Sequence, residues 1–434
     1  MNFQRCLIST AALCAILLPA PAAWGQDESK QKIRGLRDYA KEGSSAIPKI
    51  TPYLQDGDPE VRREAVRALV DVGTQRSLEP LTAACRDNDP EVQIRAADGL
   101  VNFYLPGYVQ HGISATLKRA GSVVAGRWTD AANDDIVEPD TPLRPEIVDA
   151  LSTLVQSGSS MDSRANAARA LGILRAGRAL PALLDALKSK DSRLMFEALI
   201  ALQKIRDRSA GDRVAFLVRD LDEKVQLAAI ETAGILTSRE AVSPLMRVLE
   251  EPRNKKVRRA AVTALARIAD PSSRQTLLSL AEDKDDDVRA SALEGLGRIG
   301  DPQDRALLDK AWASNAKASV RLATAFALVR AGNLDASSFG PLGYLVNNLN
   351  QRAWRGVARP YLGELARQEQ QRQALIRALG SASTPDEKIG LAQALAGSGA
   401  ADAIAPLEQL SQDSDPAVAR EALRALRILR GAVR

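Results

Sequence analysis

Histidine is almost missing from this chain: His111 is the only one in 434 residues. A multi-histidine metal centre is therefore excluded, and a Ser-His-Asp or Cys-His mechanism has one candidate base, placed in a turn region between Gly107 and Gly112 where an ordinary exposed imidazole is expected. Cysteine is scarce as well. Cys6 and Cys14 fall in an apolar leader, so Cys85 alone remains and no internal disulfide can form; beside Ala83 and Ala84 it reads as a buried, inert thiol. Neither sign of charge dominates, because 59 Lys and Arg face 54 Asp and Glu for a net +5. That balance excludes a dedicated nucleic-acid binder of this size. No segment alternates polar with β-branched apolar residues, so no sheet is expected. The apolar run Cys6 to Leu18, thirteen residues, is too short to span a bilayer comfortably as a permanent helix.

The first 25 residues differ from the rest. Arg5 precedes the apolar run, and Pro19, Pro21 and small residues lead to Ala23-Trp24-Gly25, the pattern of a secretory signal peptide cleaved before Gln26. An exported, periplasmic or extracellular location follows, with no transmembrane span after cleavage. Cys14 lacks the small residue that a lipoprotein site wants before its cysteine.

What the rest of the chain does have is a period. An aliphatic anchor, a small residue four positions on and usually a leucine eight positions on recur every 31 or 32 residues, as in Val61-Ala65-Leu69, Val92-Ala96-Leu100, Val257-Ala261-Leu265 and Val418-Ala422-Leu426. Spacings of four and eight make one stripe of an α-helix. Only two anchors are polar, Ser163 and Glu387. Three residues before most anchors stands an aspartate, such as Asp58, Asp89, Asp191, Asp222, Asp285 or Asp415, in three cases followed by proline, which is the order of N-cap and first helical residue. Glycines such as Gly73, Gly300 and Gly332 fall just past the helix ends. Preceding apolar stretches, among them 77–85 and 241–250, supply a first helix, so the repeat is a helical pair that buries its stripe only against neighbours.

The segments DPEVRREAVRAL (58–69), KKVRRAAVTAL (255–265), DDVRASALEGL (286–296) and DPAVAREALRAL (415–426) resemble the short HEAT-like repeats of phycobilisome bilin lyases and deoxyhypusine hydroxylases. The expected fold is all-α, a right-handed α-solenoid, or superhelix, of about 12 stacked HEAT-like helical hairpins over residues 26–434, with a long concave surface. The helix expected over 29–42 caps its start, and Arg424, Arg427, Arg430 and Arg434 make its end polar. The likeness also suggests lyase or oxidoreductase activity as an alternative. The paired His and Glu residues of the hydroxylase are missing, however, and an exported chain does not meet an intracellular pigment.

The period breaks twice, from Val92 to Ser163 and from Val320 to Glu387, intervals of 71 and 67 residues. Each is expected to hold one divergent repeat with inserted residues, about 103–144 and 332–372. Outside the leader the chain has fourteen aromatic residues, and eight lie in these gaps. They include Tyr104, Tyr108 and Trp128 in the first, and Tyr344 and Trp354 in the second, as candidate interface anchors. The first gap is acidic around Asp134 and Asp135. The second is basic, with Arg352, Arg355 and Arg359 at helical spacing beside Trp354, a face suited to an acidic segment of a protein partner.

Other constellations are rejected. Gly295, Gly297 and Gly300 spell GxGxxG without the strand that a dinucleotide loop needs before it. Asp283, Asp285, Asp287 and Glu294 have calcium-loop spacing, but Val288 stands where the loop needs glycine. The arginines one place after the anchors, Arg62, Arg164, Arg258, Arg289 and Arg321, are expected to form a ladder of charge pairs between repeats. No cofactor, metal or catalytic residue is expected. The sequence therefore points to an exported scaffold that binds other proteins through its concave surface and its two divergent regions. An enzyme built on the same platform, or a structural envelope protein without a discrete ligand, are the alternatives.

Overall fold

The computed structural model describes residues 22–109, 136–138, 141–314 and 317–433, which form helices and turns with no strand among them. The leader, His111, Trp128, Asp134 and Asp135 lie outside the described residues, apart from the backbone of 22–25. Two compact units result, Met1–Ala179 and Leu180–Arg434.

The first unit opens with α1 (Ala22–Lys41), which lies against α3 and buries Leu36 completely. Three helical pairs follow: α2 (Ile47–Ile50) with a 3-10 turn and α3 (Pro59–Val72), α4 (Leu78–Ala84) with α5 (Pro90–Tyr104), and α6 (Pro145–Ser157) with α7 (Met161–Ile173). The second unit stacks eight more. They are α8 (Leu180–Ala186) with α9 (Ser192–Ile205), a ten-residue 3-10 run (Arg208–Leu217) with α10 (Glu223–Ile235), α11 (Val242–Glu250) with α12 (Lys255–Ile268), and α13 (Arg274–Leu280) with α14 (Asp286–Ile299). Then come α15 (Arg305–Ala313) with α16 (Ala318–Arg330), α17 (Pro341–Asn347) with α18 (Arg355–Leu365), α19 (Glu369–Ser381) with α20 (Pro385–Ala396), and α21 (Ile404–Leu410) with α22 (Pro416–Val433). Within each unit the second helix of a pair packs on the second helix of the next, which is the α-solenoid arrangement.

The anchors and their small partners form the continuous core. Val61, Val92, Leu194, Val225, Val257 and Val288 are fully buried, as are Ala65, Ala96, Ala198, Ala229, Ala261 and Ala292. The expected caps are in place: Asp89 accepts from the Val92 N–H at 2.9 Å and Asp191 from the Leu194 N–H at 2.8 Å. Gly73 and Gly300 close α3 and α14 in left-handed backbone, with φ of 59° and 74°. The two polar anchors have their own explanation. Ser163 and Glu387 each complete a reciprocal capping box, with Ser160 and Thr384, at the start of the second helix that follows a gap.

One expectation is corrected. Among the described residues the first gap adds no repeat to the stack, because α5 and α7 pack directly on each other; the buried Asn166 amide donates to Asp98 at 3.0 Å, and Gln93 accepts from the Ser159 N–H at 3.0 Å. Residues 105–144 are an insertion between two adjacent repeats, and its near-repeat length disguised it. The second gap does hold a repeat, α17–α18, and α18 contacts both α16 and α20.

Candidate functional site

The chemistry between repeats is a recurring Asp-x-Asp turn facing a cation of the preceding repeat. In the turn the first aspartate accepts from the backbone of the second, as Asp87 does from Asp89 at 2.8 Å and Asp283 from Asp285 at 2.8 Å. Arg62 grips Asp87 through two bonds of 2.8 and 2.9 Å, and Arg63 reaches Asp89 at 2.7 Å. Arg258 and Arg259 repeat this with Asp283 and Asp285, at 2.5 and 2.9 Å, and Lys388 takes Asp413 at 2.7 Å. Burial raises the Asp285 pKa, yet Arg259, Lys255 and the Asp287 N–H outweigh it and hold this carboxyl at about 2. Its side chain is only 9% exposed. These rungs stitch the stack together, and they also occupy the aspartates of the calcium-like spacing.

Not every anchor arginine is a rung. Arg164 donates to the Val155 carbonyl at 2.7 Å, and Arg289 to the Asp283 carbonyl at 2.7 Å and to the Asp286 carboxylate. Arg321 has no carboxylate partner among the described residues. Its guanidinium lies 4.5 Å from the Trp312 ring centroid and 5.0 Å from that of Tyr344, two rings that meet edge to face at 5.6 Å. Its Nε is buried without a hydrogen-bond partner.

The divergent repeat begins with Pro341 in the first turn of α17, and Trp354 sits at the start of α18 with its ring partly buried on the core. Of the three arginines predicted to share a face, Arg355 and Arg359 stand one turn apart on α18 and both reach α20, while Arg352 precedes the helix. Arg352 is exposed in the turn before α18, whereas Arg355 is held by the Leu349 carbonyl at 2.6 Å and by the Asp386 carboxylate. Arg359 is exposed and donates to Gln393 at 3.1 Å. Arg355 is thus a link to the following repeat, and Arg352 and Arg359 are the cations left facing solvent.

Sequence reasoning missed a half-buried network on α14, α16 and α18. Glu364 accepts from Arg298 at 2.8 Å and from Arg330 at 3.1 Å; Arg298 also binds Glu294, which accepts from the Tyr361 hydroxyl at 2.7 Å. Tyr361 stacks on Phe326 at 4.5 Å. Burial opposes the Arg298 charge, but Glu294 and Glu364 prevail and its pKa stands above the ordinary arginine value, whereas burial pushes that of Arg330 down. Burial and Glu294 raise Tyr361 well above a free phenol. Glu294 and Arg298 are visible as a helical i, i+4 pair, but nothing local announces a partner 66 residues on.

In the first unit Tyr104 ends α5 in edge-to-face contact with Phe103 at 5.2 Å, and its hydroxyl oxygen accepts from the Arg144 N–H at 3.2 Å. Tyr108 is half-buried in the turn that follows. Cys85 is buried at the end of α4, where burial pushes its thiol up to about 12. Gly295 and Gly297 are packing glycines: a Cβ on Gly297 would stand 2.5 Å from the Cα of Ala327 on α16, and one on Gly295 2.9 Å from the Cα of Ala266 on α12. Among the described residues no group of three or more His, Cys, Asp or Glu is placed to hold a metal ion, and no helix is long and apolar enough to cross a membrane.

Paired helices, buried anchors and charge rungs define an α-solenoid of a kind consistent with a protein-interaction scaffold. Residues 24–110, 147–215 and 244–329, more than half of the chain, match the HEAT repeats, and the protein belongs to that family. No curated protein matches the chain. Similar solved structures include an engineered protein at 21% identity, with 88% of this chain and 98% of that one covered and a TM-score of 0.39. The complex of CpcE and CpcF of phycocyanin lyase from Nostoc sp. PCC7120 is 20% identical over 58% of this chain and 86% of that one, with a TM-score of 0.33. Importin beta is 15% identical over 93% of this chain and 59% of that one, with a TM-score of 0.43.

Proposed function

We propose that this protein is an exported scaffold, periplasmic or extracellular, that holds other proteins and performs no chemistry of its own. The observation that carries the reading is the gap in the charge ladder at α17–α18. Elsewhere the cations one place after the anchors are mostly spent on aspartates or backbone carbonyls, whereas here Arg321 finds no carboxylate among the described residues, Arg352 has no partner among them and Arg359 meets only a neutral amide. Exposed, unmatched cations next to Trp354 in the chain suit an acidic segment of a protein partner, because the ring supplies contact area at low entropy cost while the charges steer the encounter. The leader composition supports export. Tyr104 at the end of α5, with Tyr108, Trp128, Asp134 and Asp135 in the insertion that follows it, are proposed as a second contact area of opposite charge.

The test is affinity capture from the cell-envelope fraction with immobilised chain starting at Gln26, comparing wild type with an Arg352→Ala/Arg359→Ala variant at rising salt. The variant is expected to lose captured protein and to show a flatter salt dependence. Identical capture and identical salt response would remove the reading. Export is checked separately by sequencing the mature amino terminus, which is expected at Gln26.

A further inference from the structure

Arg321 stands one place after the anchor Val320, the position from which Arg62 and Arg258 reach a carboxylate 25 residues further on. At that distance from Arg321 stands Val346, inside α17, so the divergent repeat removes the rung and leaves the cation behind. The structure compensates for only part of the loss. Trp312 and Tyr344 approach the guanidinium at 4.5 and 5.0 Å, but a ring offers its N–H groups no oxygen acceptor. The buried Nε has no acceptor, and the nearby Lys317 is already bound to Asp286 at 2.5 Å. All three residues of the corner are half-buried.

We propose that the Arg321, Trp312 and Tyr344 corner is a carboxylate-binding site that takes the place of the missing ladder aspartate. A single planar fork flanked by rings matches one carboxylate in charge and geometry. The site rests on the reading that the divergent repeat docks an acidic protein segment, and it names the residue that anchors that segment. The carboxylate can belong to a glutamate or aspartate side chain of the partner or to a small organic acid.

The test measures anisotropy of fluorescein-labelled hexaglutamate and hexaglutamine peptides with the chain starting at Gln26. Wild type is expected to bind hexaglutamate and to ignore hexaglutamine. Arg321→Met should weaken hexaglutamate at least tenfold, and Arg321→Lys, which keeps a cation and a stacked stem but no fork, should weaken it too; the lysine variant decides the matter if the methionine variant fails to melt cooperatively. Displacement of the peptide by succinate at equal carboxylate concentration, lost in Arg321→Lys, supports the site with a small acid as its ligand; a requirement for the peptide supports it with a protein as its ligand. Undiminished binding by both Arg321 variants overturns the site, and if Arg352→Ala/Arg359→Ala weakens the same peptide, the docking reading survives alone. No binding by wild type overturns both.

Discussion

At the residue scale the fold is held by a few side chains that serve two purposes. Asp285 caps α14 through the Asp287 N–H at 3.1 Å and is also the acid of the rung to Arg259 and Lys255. Its folded value of about 2 lies below the value of about 3.9 expected in an unfolded chain, so its stabilisation is complete above that unfolded value and fades as pH falls towards 2. Asn keeps the cap and removes the charge. Asp285→Asn is therefore expected to lower stability by roughly 1–2 kcal/mol at neutral pH, a difference that shrinks between about pH 4 and pH 2. Urea titrations at pH 7 and pH 2.5 check this. A deficit that is the same at both values would refute it.

At the element scale, the spacing between helices is set by what stands on their facing stripes. Gly297 lets α14 approach α16 so closely that a methyl group would press into the backbone at Ala327. Gly297→Ala is expected to destabilise by about 1–3 kcal/mol, whereas Gly363→Ala on α18, where a Cβ meets nothing, should be neutral or stabilising by up to about 1 kcal/mol. Thermal melts of the two variants provide the comparison, and equal effects would show that helix propensity rather than close approach sets the cost. Glu364 binds three helices together because it neutralises two half-buried arginines at once. Glu364→Gln should cost on the order of 3 kcal/mol, and adding Arg330→Met should restore part of it by removing the charge left uncompensated. A double variant weaker than the single one would contradict this account. What was legible here was whatever repeats locally: caps, anchors and glycine positions recur in several repeats, so each is written several times. Glu364 was illegible because its partners come from helices one and two repeats away, and the lost rung at Arg321 shows only once the 25-residue offset of the other rungs is known.

At the scale of the whole molecule, each unit is a stack whose contacts lie mostly between adjacent pairs, so it tolerates additions between repeats far better than losses within them. The matched HEAT segments stop at residue 110 and resume at 147, bracketing the insertion that sequence length alone had presented as a repeat. The insertion returns close to where it leaves, since the Tyr104 hydroxyl meets the Arg144 N–H at 3.2 Å. Part of it serves the stack: Val137 is 3% exposed and its N–H donates to the Ile173 carbonyl at 3.0 Å. Replacing 110–134 with a short Gly-Ser linker spares that contact and the one between Tyr104 and Arg144. The melting temperature should stay within about 3 °C of wild type. Removing 341–365 should lower it far more, because α16 and α20 then lose the α18 surface that each is shaped to meet. Circular-dichroism melts separate the two cases; a comparable fall for both deletions would mean that the inserted segment contributes to the stack as a repeat does.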